Sequence, residues 1–163
     1  MMSHVASELS AVIAQPADSR TDDDVLVTPE EVEALIERMS LTAVRLVRWN
    51  GDSLPGTQGP VSSVDAALEP PRMRILPTEV SLWFEHRVEC RNTDGDAIAE
   101  IETGVLVDFE LSGDDEPELP VVACFADTNG AFIAWPYIRE AVQTMSTRLG
   151  LAPIVLGVLR REA

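Results

Sequence analysis

The side chains that could carry chemistry are few: Glu100 with Glu102, His86 with His4, and the cysteines Cys90 and Cys124. Two carboxylates two residues apart could form an acid/base pair or hold a cation. In a strand that spacing points both to one outward face, so the pair reads as a solvated acidic surface rather than a reactive site. His86 lies on the apolar parity of its strand with no nucleophile nearby in sequence, which makes it a core histidine. His4 stands in a polar N-terminal stretch. The cysteines lie far apart and form no metal-ligand spacing, so they read as two free thiols of a reducing, cytoplasmic compartment. No P-loop, dinucleotide fingerprint, G-x-S-x-G elbow or H-E-x-x-H helix occurs. The sequence therefore predicts no catalytic residue, no metal and no cofactor.

The elements that must position these residues follow from periodicity. Glu79 to Asn92 and Asp96 to Leu111 both alternate, and Asn92-Thr93-Asp94-Gly95 between them is the strongest hairpin signal in the chain. On the first strand Val80, Leu82, Phe84, His86, Val88 and Cys90 share one face. On the second, Ile101, Val105, Val107 and Phe109 share one face and Glu100, Glu102 and Asp108 the other, so the sheet is expected to be apolar on one side and acidic on the other. Leu41 to Trp49 reads as a further strand with a slip near Val47. The stretch Asn50–Pro60 reads as a long crossover loop, Ser62 to Glu69 as a short strand, and the region bracketed by Pro70, Pro71 and Pro77 as irregular. Ser112 to Pro120 is an acidic loop whose like charges and prolines argue against packing.

Two helices are expected. Thr28-Pro29-Glu30-Glu31 carries an N-cap threonine, a proline at the first helical position and a capping-box glutamate, predicting a helix to about Met39. Trp135, Ile138, Val142, Met145 and Leu149 recur at spacings of three and four, the apolar stripe of a second helix ending at Gly150. Pro136 places its start near Ile133, because proline is tolerated in a first turn. By itself such a stripe is ordinary core packing.

The chain has 163 residues, 45% hydrophobic content and a formal net charge of −16. That length suits one domain, here residues 28 to 163, preceded by an acidic arm at 1 to 27 expected to be flexible. The charge repels nucleic acid, and no apolar run is long enough to insert in a membrane. All 12 basic residues are arginine, which reads as coding bias.

The segment Trp135 to Glu140, WPYIRE, followed by LAPIVL at 151 to 156, resembles the SecB protein-export chaperone family, whose main helix opens on an aromatic-Pro-Tyr-x-Arg-Glu motif. The resemblance covers about residues 41 to 159 and is specific only in WPYIRE. It implies an α+β protomer: a four-stranded antiparallel sheet with a long helix on one face, to which this chain adds an N-terminal helix. It also implies a homotetramer, a dimer of dimers, in which the stripe from Trp135 to Leu149 forms the oligomer interface. The implied activity is ATP-independent holding of unfolded polypeptides, with client contacts expected at Trp49, Leu54, Pro55 and Trp83. Glu100, Ile101 and Gly104 are similar to the family's fourth strand, which implies docking of the motor SecA at Glu100 and Glu102. The chain stops after the apolar tail, where typical members have a second helix. In that it looks like the shorter SecB-like chaperones of toxin–antitoxin modules, which protect one antitoxin, more than like general export chaperones. A binding or scaffolding module that uses the fold only for assembly is the alternative.

Overall fold

The computed structural model describes residues 13–14, 26–55 and 59–159; most of the expected acidic arm lies outside them. The element order is β1 (Ile13–Ala14), α1 (Pro29–Arg38), β2 (Met39–Ser53), β3 (Ser63–Leu68), β4 (Arg72–Leu76), β5 (Glu79–Arg91), β6 (Ala97–Leu111), α2 (Leu119–Phe125) and α3 (Ala131–Arg148). The sheet runs β1-β3-β5-β6-β2, with β4 also paired to β5. All pairings are antiparallel except the two-residue contact of β1 with β3. β3 takes Arg91 to His86 of β5 and β4 takes Trp83 to Glu79, so the two short strands lie end to end along one edge. Leaving β1 aside, the sheet is four strands wide, as expected.

α1 starts as the sequence dictates. The Thr28 hydroxyl accepts from the Glu31 N–H and the Glu31 carboxylate accepts from the Thr28 N–H at 2.7 Å, a complete capping box. The Thr28 backbone N–H foremost, and the Thr28 hydroxyl donating to the same carboxylate at 3.0 Å, hold the Glu31 carboxyl below its usual range. Leu35 is buried, and α1 docks on α2 of its own chain. Thr28→Ala is expected to lose about 1 kcal/mol, read as a lower urea midpoint at unchanged slope. An unmoved midpoint would mean that docking alone holds α1.

The hairpin forms around Asn92, whose side-chain oxygen accepts from the Asp94 and Asp96 backbone N–H groups at 3.0 and 2.9 Å. Bulges interrupt β2 between Leu41 and Ala43 and between Leu46 and Arg48, the second of them at the expected slip.

Several expectations are corrected. β2 does not end at Trp49 but runs to Ser53, because Gly51 is a packing glycine rather than a turn glycine. A Cβ there would lie 2.5 Å from Met145 Cγ, so its absence lets α3 cross the strand closely. The stretch between Pro71 and Pro77 contains the strand β4; the prolines punctuate its ends instead of breaking it. In the acidic loop Pro117 is buried, and Arg38 donates to the carbonyls of Ser112 and Asp115. The helical path begins at Leu119, not near Ile133, and passes through a π-helical turn at Ala126–Gly130 into α3, leaving Pro136 inside a helix. Phe125 meets Phe109 of the sheet edge to face at 5.3 Å. Burial of that kind upstream outweighs the roughly 3 kcal/mol that an internal proline costs. The C-terminal stop is as read: Gly150 has φ +76°, Gly150 N–H donates to Thr147 O and Leu151 N–H to Ser146 O, a Schellman ending.

α3 covers one face of the sheet. Trp135, Ile138 and Val142 of the stripe are buried within the single protomer. Met145 and Leu149 are partly buried and meet β2 at Gly51. Trp135, Ile138 and Val142 are therefore core of the protomer, packed on the chain's own sheet. The tail after Gly150 is extended and straps this layer. Ile154 N–H donates to Ser146 Oγ at 3.0 Å, Gly157 O accepts from Trp135 Nε1 at 2.9 Å, and Ile154 and Leu156 are buried.

Candidate functional site

Sheet parity decides where each candidate residue stands. On the helix side Val80, Leu82, Phe84, His86, Val88 and Cys90 are all buried. His86 meets the Trp135 ring edge to face at 5.6 Å, and burial pushes its pKa down to about 4. Among the described residues neither His86 ring nitrogen, nor the hydroxyl of its cross-strand neighbour Thr103, has a hydrogen-bond partner. Burial, with help from the Glu89 charge, pushes the Cys90 thiol up to about 11, so it stays protonated and unreactive. No group of three or more metal-ligating side chains occurs among the described residues.

Trp49 also belongs to the helix side. Its indole N–H donates to Ala141 O at 3.1 Å and its ring lies 4.5 Å from the Arg148 guanidinium carbon, so it locks β2 to α3. Trp83 lies on the opposite, open face, in register between Arg72 of β4 and Leu106 of β6. The two tryptophans therefore do not converge on one client site. Leu54 and Pro55 begin the crossover loop, and Leu54 N–H donates to Ile98 O at 2.9 Å. Residues 56–58 of the expected loop lie outside the described residues.

The open face is not the acidic surface that the β5–β6 alternation predicts. Arg45 pairs with Asp108, Arg48 with Glu85 and Glu102, Arg72 with Glu85, Arg74 with Glu79, Arg87 with Glu100, and Arg91 with Asp65 and Glu89. Glu100 and Glu102 stand there as expected, but each holds an arginine. The arginines come from β2, β4 and β5, and reading β5 and β6 alone misses most of them; the even spacing of Arg72 and Arg74 was the available signal. Exposed pairs of this kind contribute about 0–1 kcal/mol each, so they shape the surface more than they stabilise it. Three connected clefts run along this face, of about 300, 320 and 450 Å³.

One apolar strip remains open on the helix side. Leu41, Leu46 and Val47 of the edge strand β2 are 52%, 41% and 41% exposed, whereas Phe109 and Val105, opposite Leu41 and Leu46, are buried. α3 covers the middle of the sheet and leaves this part of its edge bare.

An antiparallel sheet with one long helix across it, a crossover loop and an uncovered edge define an α+β protein of the SecB-like fold. No family model matches the chain. The SecB-like chaperone Rv1957 of Mycobacterium tuberculosis strain H37Rv is 39% identical over 163 residues, covering 87% of this chain and 89% of the relative. The SecB-like chaperone MT2006 of strain CDC 1551 gives the same identity and coverage over 162 residues. The chain belongs to the SecB-like chaperone family. In three dimensions it is similar to the Mycobacterium tuberculosis Rv1957 chaperone solved in complex with a ChAD peptide from the Rv1956 HigA1 antitoxin. The TM-score is 0.73 at 23% identity, over 82% of this chain and 99% of that one, a likeness of fold.

Proposed function

We propose that this protein is an ATP-independent holdase that keeps a polypeptide client from aggregating, and that its client is a dedicated partner such as an antitoxin. The observation that carries this reading is the uncovered strip Leu41, Leu46 and Val47, apolar side chains left exposed on the edge strand β2. Exposed apolar surface binds non-native chains by burial, with little demand on their sequence. The antitoxin peptide bound by the structurally similar chaperone supports a dedicated client over general export. Leu54 and Pro55 stand where the crossover loop leaves the same strand and extend the contact; Trp49, locked to α3, acts as its support.

Assembly into a homotetramer belongs to the same proposal. Docking of SecA at Glu100 and Glu102 is left out of it, because a basic partner would have to displace Arg87 and Arg48 from those carboxylates.

The purified protein is expected to suppress aggregation of an antitoxin client at equimolar ratio without nucleotide. Each half-exposed side chain of the strip contributes on the order of 1 kcal/mol when covered. The triple change Leu41→Ser, Leu46→Ser and Val47→Ser should therefore weaken client affinity by roughly tenfold to a hundredfold. If the wild-type protein protects no client, the holdase reading fails; if the triple variant protects equally well, the strip is not the site.

A further inference from the structure

A polar pair stands at the centre of the buried sheet face, away from the apolar strip. Strand register places Leu68, His86, Thr103 and Trp49 in one row across β3, β5, β6 and β2, on the side that α3 covers. His86 and Thr103 are each 1% exposed. The flanking rows of β5 and β6 are apolar: Phe84 lies opposite Val105 and Val88 opposite Ile101, all four fully buried. The two tryptophans beside the pair are already engaged. The Trp49 indole N–H donates to Ala141 O, and the Trp135 indole N–H, whose ring meets His86 edge to face, donates to Gly157 O.

Two neighbouring side chains thus keep hydrogen-bonding capacity that nothing else in this layer meets. Neither ring nitrogen of His86 nor the Thr103 hydroxyl has a partner among the described residues. Polar groups left unmet in an apolar interior are costly, and native interiors satisfy them with protein or with water. Directly opposed side chains of an antiparallel pair have Cβ atoms about 4.5–5.5 Å apart. Two hydrogen bonds of about 2.8 Å each span such a gap. A neutral imidazole has one donor and one acceptor nitrogen, and a threonine hydroxyl both donates and accepts. Water does both as well, so it complements the pair in either tautomer. A cation fits poorly: the two side chains supply no negative charge, and no group of three or more metal-ligating side chains occurs among the described residues.

We infer that His86 and Thr103 together bind one internal water molecule between β5 and β6, beneath α3. The water donates to one partner and accepts from the other, joining through side chains the two strands that the ladder joins through backbone. Phe84, Val88, Ile101, Val105 and Trp135 wall it off from bulk, so its exchange requires local opening of α3 from the sheet.

Oxygen-17 magnetic relaxation dispersion on the full chain counts water molecules that stay bound for longer than the protein takes to tumble. Thr103→Val keeps the shape of the side chain and removes the hydroxyl. It is expected to lower the dispersion amplitude by the equivalent of about one water relative to the wild type. Thr103→Ser keeps the hydroxyl and is expected to retain that amplitude. The wild type, which needs no variant to fold, should in addition show nuclear Overhauser cross-peaks between water and the Thr103 methyl protons. An amplitude unchanged by Thr103→Val, or no such cross-peak in the wild type, overturns the inference.

Discussion

Trp135→Ala is expected to lower the free energy of unfolding by about 3–5 kcal/mol, the cost of removing a fully packed aromatic side chain and leaving a cavity. Trp135 is 3% exposed and stands where three parts of the protein meet. Its ring contacts His86 of the sheet, its backbone belongs to α3, and its indole N–H holds the Gly157 carbonyl of the tail. Truncation empties the space above His86 and releases the tail. Trp135→Phe keeps most of the volume and loses the hydrogen bond, so about 1–2 kcal/mol is expected. Urea unfolding followed by far-ultraviolet circular dichroism is the measurement, since the substitution alters fluorescence directly. If the alanine variant loses less than about 1 kcal/mol, Trp135 is not core.

A second large effect concerns acid. His86 is neutral in the folded protein because burial pushes its pKa from 6.5 to about 4. An unfolded chain takes up the proton near pH 6.5, whereas the folded one resists until about pH 4. Folding is thus fully favoured by this group above pH 6.5 and loses that contribution as pH falls toward 4. The loss amounts to about 3 kcal/mol in all. Many carboxylates titrate over part of the same range, so the informative quantity is the difference between the wild type and His86→Phe. That variant keeps an aromatic ring against Trp135 and has no proton to gain. Between pH 7 and pH 4 the wild type should lose about 3 kcal/mol more than the variant. Parallel pH profiles would show that His86 is solvated in the folded state.

These predictions rest on features legible to different degrees in the chain. The capping box at Thr28, the Asn92 turn, the parity of His86 and the slip near Val47 could be read directly, because each is set by neighbours within a few residues. Gly51 could not: the same glycine serves a turn or a close helix crossing, and only the approach of Met145 decides. Pro136 misled for a related reason, since a local rule about helix starts gave way to packing of Phe125 on Phe109. β4 was hidden by the prolines at its ends. On the open face, Glu100 and Glu102 were placed correctly, but arginines donated by strands distant in sequence changed the character of that surface. The stripe of α3 was visible at once, yet periodicity names a buried face without naming what buries it. For Trp135, Ile138 and Val142 the chain's own sheet does so.

The divided edge of the sheet bears on how far a local change spreads. β3 and β4 both pair with β5 and not with each other, and the joint between them is bridged by Glu69 N–H donating to Glu85 O. One border of the molecule is thus built as two shutters on a shared frame, each held by its own short ladder. The shutter formed by β4 carries Arg72 and Arg74 and is laddered to the frame through β5. A substitution in that shutter disturbs one short ladder and leaves the pairing of β5 with β6 in place.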